Sequence, residues 1–232
     1  MQNITVELPI RQTEQLNGYY AVEVLLPEID RPEDLIGKTF VFADDSTELT
    51  LFLHPQKNRF QLLAPNLIDE QKIQAKLIQQ SEVISEFQFP SKEQPCVILA
   101  SAKYMGNALA IAKKHANKKV TTIVMLGGDR FPFQIKPARF WVPEMPEEAI
   151  GASTLLEDWG VVNRMASPDM LPGCFHGEVE ELFAEWVQGK NQNPEQKQKW
   201  QAVILAEQAC QKRCLDICAD QTWLQPTHTA QT

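Results

Sequence analysis

Residues 96–113, CVILASAKYMGNALAIAK, decide the fold. Residues 96–100 form a short apolar run suited to a buried parallel strand. A small-residue turn follows, and Met105, Leu109, Ala112 and Lys113 then fall at helical spacing. Strand, tight turn and helix in this order make the βα unit in which glycines let the backbone approach a pyrophosphate at the helix start. Here the turn reads Ser101, Ala102, Lys103, Tyr104, with no glycine and with a bulky ring where close approach is needed.

Working outward, residues 96–232 alternate strand and helix. Strands are expected at 97–100, 121–126, 161–166 and 201–206, with a further one at 140–142. Helices are expected at Met105–His115, 147–159, 178–187 and Gln208–Ala219. Such alternation predicts a parallel sheet with helices on both faces. Residues 189–199 (GKNQNPEQKQK) read as an exposed loop, and the tail from Leu224 has little to anchor it. Upstream, residues 1–92 are β-rich: YYAVEVLL at 19–26, TFVFA at 39–43, ELTLFL at 48–53 and RFQLL at 59–63 are separated by turn residues such as Asn17-Gly18. Residues 73–85 fit a strand pair or a short helix. The fold class is therefore an amino-terminal antiparallel β-barrel-like domain, 1–92, followed by a Rossmann-like parallel α/β domain, 96–232, with the boundary in 87–95, where Pro90 and Pro95 bracket polar residues.

Composition narrows the partners. The 232 residues carry 22 Lys+Arg against 30 Asp+Glu, a net charge of −8, and no basic block, so nucleic acid and anionic membrane are disfavoured. No apolar run is long enough to span a bilayer, and residues 1–9 lack the basic and apolar regions of a signal peptide. Five cysteines, an odd number, suit reduced thiols in the cytoplasm.

The order of barrel and α/β domain resembles the ferredoxin–NADP reductase superfamily, most of all the electron-transfer subunits of dihydroorotate dehydrogenase. The family's I-A-G-G-T-G-I-A-P-L-L-x-L-A-K motif aligns without a gap on residues 99–113, preserving Leu99, Ala100, Leu109, Ile111, Ala112 and Lys113. Its G-G-x-R matches Gly127, Gly128, Asp129 and Arg130, and its G-x-V-x-x-L matches Gly177, Val179 and Leu182. The resemblance implies FAD and NAD(P) as cofactors and electron transfer to a protein partner. It places Ser101, Ala102, Lys103, Gly127, Gly128, Arg130 and Glu207 at the cofactor-binding positions. The departures lie there too. No R-x-Y-S occurs in 1–92, the glycine turn is gone, Glu207 stands near where the family has C-G-P-x-x-M, and Cys210, Cys214 and Cys218 lack iron–sulfur spacing. The expectation is a ferredoxin reductase-like protein with reduced or lost flavin and NAD(P)H chemistry, acting as a binding or accessory module. The alternative is an active oxidoreductase component.

Other candidates weigh less. Cys210, Cys214 and Cys218 line one helix face, where core packing, metal or cluster binding and redox sensing are all open and packing is favoured. Cys210, Cys214, Leu215 and Cys218, with Ile217 at the margin, suit the buried side, and Gln211, Lys212, Arg213 and Asp216 suit solvent. Cys174 and His176 share a turn that gives no catalytic geometry. The five tryptophans read as core or domain-contact residues. His54 and His115 have no zinc-ligand spacing, so no metal is expected, and no catalytic residue stands out.

Overall fold

The computed structural model describes residues 3–43, 45–73, 76–84, 87–116, 119–193 and 198–227. The amino-terminal half is built from β1 (Asn3–Thr5), β2 (Glu7–Glu14), β3 (Tyr20–Leu25), β4 (Lys38–Phe42), β5 (Thr50–Gln56), β6 (Arg59–Ala64) and β7 (Lys76–Glu82). These form two antiparallel sheets, ordered β2-β3-β6-β5 and β1-β7-β4. The chain running from β1 into β2 joins the sheets on one side, and a Phe40–Leu49 bridge joins them on the other. The result is a barrel-like unit with few free edges. Strand β7 resolves most of the ambiguity over 73–85 in favour of a strand, although 74–75 and 85 lie outside the described residues.

The second half holds β8 (Cys96–Ala100), α1 (Met105–His115), β9 (Thr122–Gly127), β10 (Ile135–Pro137), β11 (Gly151–Ser153), α2 (Thr154–Asp158), β12 (Val162–Ser167), β13 (Phe175–His176), α3 (Val179–Asn191), β14 (Trp200–Leu205), α4 (Gln208–Ala219) and β15 (Leu224–Pro226). A six-stranded parallel sheet runs β13-β12-β9-β8-β14-β15. Its strands alternate by face. Cys96, Ile98 and Ala100 join the core beneath α1, whereas Val97 and Leu99 join the core beneath α3 and α4. The first of these cores is continuous with the barrel interior, from Phe42, Leu51 and Phe60 through Leu109 to Val124 and Val203.

Several expectations are corrected. Residues 140–142 form no strand: Phe140 and Trp141 are exposed. The helix expected at 147–159 shrinks to Thr154–Asp158, because 151–153 instead pair as β11 with β10. The tail is anchored, since Leu224 pairs in parallel with Trp200 and adds a strand at the sheet edge; 228–232 lie outside the described residues. Helix α3 runs on to Asn191, into the expected loop, of which 194–197 are not described. Gln211 is buried rather than solvated, and its amide donates to the Val83 carbonyl across the seam between the two halves (3.2 Å). Trp141, at 82% exposure, belongs to no core.

Candidate functional site

The carboxyl ends of β8, β9 and β14 bring the sequence-selected residues together. Ser101–Tyr104 follow β8, Gly127–Arg130 end or follow β9, and Glu207 follows β14 at the start of α4. This is the edge at which α/β sheets hold ligands. Ser101 Oγ donates to Glu207 (2.5 Å), and the Ser101 amide donates to the Leu205 carbonyl (3.1 Å). The turn is thus stitched to the neighbouring strand. Gly127 and Gly128 are places of close approach: a Cβ on Gly127 would stand 2.8 Å from Val179 Cβ, and one on Gly128 2.6 Å from Met105 Cε. Both glycines serve packing between the sheet and its helices.

The two cations of the site reach across to the barrel. Lys103 Nζ lies 2.7 Å from Glu48 Oε2 and 2.9 Å from Oε1, while its carbonyl accepts from Thr50 Oγ1 (3.3 Å). Burial works to lower the Lys103 pKa, but Glu48, Tyr104 and Glu207 together outweigh it and hold the ammonium above the ordinary lysine value. The Arg130 guanidinium donates to the carbonyls of Asn17 (3.3 Å) and Pro65 (3.0 Å) and lies 4.9 Å from the centroid of the Tyr19 ring. Asn17 answers with its amide on the Phe131 carbonyl (2.8 Å). Asn17-Gly18 is a left-handed turn (φ 57° and 78°), and a Cβ on Gly18 would come within 3.3 Å of Arg130 Nη1, so the turn and the arginine fit each other. Burial pushes the Tyr19 hydroxyl pKa up, with Arg130 opposing.

Tyr104 does not crowd the face of the turn. Its ring turns inward and is 1% exposed, with its hydroxyl at Ser81 of β7. The start of α1 is closed by the barrel. A Cβ on Gly106 would stand 2.6 Å from the Leu51 carbonyl oxygen; Asn107 donates to that same carbonyl (3.0 Å) and accepts from the Gly37 amide (2.8 Å). At this edge a cavity of about 250 Å3 stays open between the halves, lined by Glu48, Thr50, Lys103, Asp129 and Arg130 among others, with a shallower depression of about 650 Å3 beyond Arg130. The Glu48–Lys103 and Tyr19–Arg130 contacts are pairings between distant parts of the chain. No spacing rule reveals them; Asn17-Gly18 reads from sequence only as a turn between strands.

The three cysteines of α4 sit against α3. All three are buried, and Cys210 Sγ donates to Glu180 Oε2 (3.0 Å), whose other oxygen pairs with Arg213. The neighbouring Cys214, burial and Glu180 all push the Cys210 thiol up; burial takes Cys218 to about 12 and Cys174 to about 11. Raised values favour the protonated form of Cys210, Cys218 and Cys174, the less nucleophilic form of a thiol.

No protein-family model and no curated protein matches the chain. Solved structures do match it over nearly its whole length. The ferredoxin reductase in carbazole 1,9a-dioxygenase is 9% identical, covers 98% of this chain with 69% of its own, and gives a TM-score of 0.57. Ferredoxin-NADP+ reductase from Plasmodium falciparum is 9% identical over 98% of this chain and 95% of its own, with a TM-score of 0.54. Flavohemoglobin from Malassezia yamatoensis with bound FAD and heme is 10% identical over 97% of this chain and 58% of its own, at 0.52. The chain has the fold of ferredoxin reductases, a barrel followed by a parallel α/β sheet.

The charged donors at this sheet edge are engaged within the chain. A diphosphate needs unengaged donors and positive charge. Lys103 and Arg130 are both engaged with the barrel, the start of α1 packs closely on β5, and Glu48, Asp129 and Glu207 bring negative charge to the same edge.

Proposed function

We propose that this chain is a ferredoxin reductase-like module of two domains, 1–92 and 96–232, whose cofactor cleft is closed by its own side chains. It serves as a binding or accessory subunit for a protein partner, most like the electron-transfer subunits of dihydroorotate dehydrogenase in ancestry and cytoplasmic in location. One observation carries this reading: both cations at the sheet edge are held by the barrel, Lys103 through its ion pair with Glu48 and Arg130 through the Asn17 and Pro65 carbonyls, so neither side chain stands free to meet a phosphate. Pairing a charge with a fixed partner uses the same hydrogen bonds that would hold the ligand, and a diphosphate would have to displace them.

The alternative, an active FAD- and NAD(P)H-dependent oxidoreductase component passing electrons to a partner protein, draws on the gathering of Ser101, Ala102, Lys103, Gly127, Gly128, Arg130 and Glu207 at one edge. Absorbance of the purified protein decides between them, followed by gel filtration after incubation with FAD and calorimetric titration with NADH and NADPH. The closed-cleft reading expects a colourless protein, flavin eluting separately and no heat of binding at micromolar nucleotide. Stoichiometric FAD retained on the column, or micromolar affinity for either nucleotide, overturns it.

A further inference from the structure

Away from that cleft, the barrel and α1 enclose a groove of about 500 Å3. Its walls are Leu51, Leu53 and Pro55 of β5, Ala110 of α1, and Pro32 and Phe89 from the connecting segments. Three basic side chains complete it: His54, Lys113 and Lys114. The volume falls in the range of small-molecule sites, roughly 300–1,000 Å3, which are apolar with a few placed polar groups.

The polar groups are not all accounted for by the fold. His54 stacks on Phe60 (centroids 4.6 Å apart), and its Nε2 is buried with no hydrogen-bond partner. A buried nitrogen left unmet carries a desolvation cost, so a site that supplies its partner is favoured. Lys114 pairs with Glu33 (2.8 Å) and lies 4.0 Å from the Phe89 ring centroid. Lys113 makes no ion pair among the described residues; its ammonium lies 4.4 Å from the Trp159 ring centroid. Lysines in the last turn of α1 offset the helix dipole, which explains their sign but not the apolar wall beside them. With Glu33 set against Lys114, Lys113 leaves the groove one net positive charge in a chain whose net charge is −8.

We propose that this groove binds a small amphipathic carboxylate. Its apolar tail lies along Leu51, Leu53 and Phe89, its carboxylate meets Lys113, and His54 Nε2 donates to it in the Nε2-protonated tautomer. Because the walls come from the barrel and from α1, the ligand braces the two halves and raises the melting temperature by mass action. The site is separate from the cofactor cleft and stands whether or not that cleft is closed.

The test is titration calorimetry with hexanoate, octanoate and decanoate below their micelle concentrations, with octanol and octyltrimethylammonium as controls. Affinity rises about tenfold for each added pair of methylenes until the groove is full. Octanol binds at least roughly tenfold more weakly than octanoate, since a charge-assisted contact is lost, and the cationic amphiphile does not bind. Lys113→Gln, at an exposed position, weakens octanoate by about tenfold on the same ground while the unliganded protein stays folded, its melting temperature lowered only by the lost Trp159 and helix-end contacts. Ala110→Phe fills the groove and abolishes binding. Equal affinity for octanoate and octanol, no decanoate binding at millimolar concentration, or octanoate affinity unchanged in Lys113→Gln overturns the proposal.

Discussion

Replacing Gly106 with alanine tests how closely α1 is seated on the barrel. The added methyl would stand 2.6 Å from the Leu51 carbonyl oxygen, 3.1 Å from Thr50 Oγ1 and 3.2 Å from Leu63 Cβ. The nearest atom is backbone in the middle of a paired strand, so no side-chain rotation relieves it. Helix and strand must part by several tenths of an ångström. Overpacking of this kind costs ~1–3 kcal/mol. The shift also stretches the Asn107 bonds to Leu51 and Gly37, at ~1 kcal/mol each. Alanine returns at most ~1 kcal/mol in helix propensity. The net expectation is a loss of about 3 kcal/mol, or roughly 6–12 °C in melting temperature for a chain of this size. Calorimetry or circular dichroism melting reads it directly. Thr50→Ala should not rescue the variant, because the tightest contact is with Leu51 rather than the threonine hydroxyl. A Gly106→Ala protein as stable as the parent, or more so, would refute the close seating of α1 on β5 and with it the closure of the helix start.

Asn107→Ala removes the acceptor of the buried Gly37 amide and a donor to Leu51, and should lower stability by ~1–3 kcal/mol in urea denaturation. Cys214→Ser places a hydroxyl in the apolar seam between α3, α4 and the sheet and should cost ~1–3 kcal/mol; in the parent, Cys174, Cys210 and Cys218 should react with a thiol reagent at pH 8 only after unfolding, because burial raises each pKa. His115 is held neutral by burial, with its ring between Thr122 and Ser91. Its folded pKa lies below the unfolded value of about 6.5, so the unfolded chain takes up the proton first. Its contribution is therefore complete above that pH and falls as pH drops below it. Denaturation midpoints between pH 7.5 and 5 should decline in the parent and decline less in His115→Asn.

Local periodicity carried much of the α/β half. Met105–His115 and Gln208–Ala219 are helices over the residues their apolar spacing marks, and 97–100, 121–126 and 201–206 lie on strands β8, β9 and β14 to within a residue. These segments are buried on known faces, and burial writes its period into the sequence. What the sequence left open depends on partners far along the chain. Strand β2 mixes charged and apolar residues because it is held by pairing with β3, and β15 is a strand only because the β14 edge accepts Leu224. Gln211 carries a polar side chain on a buried face because a carbonyl of the barrel waits for it. The candidate site divides the same way. The resemblance implied that Ser101–Tyr104, Gly127–Arg130 and Glu207 share one edge, and the sheet order β9-β8-β14 places the strands they follow side by side. Whether Lys103 and Arg130 point to a ligand or to the barrel was decided by Glu48, Asn17 and Pro65, residues from other segments that only the docking of the two halves brings within hydrogen-bonding distance.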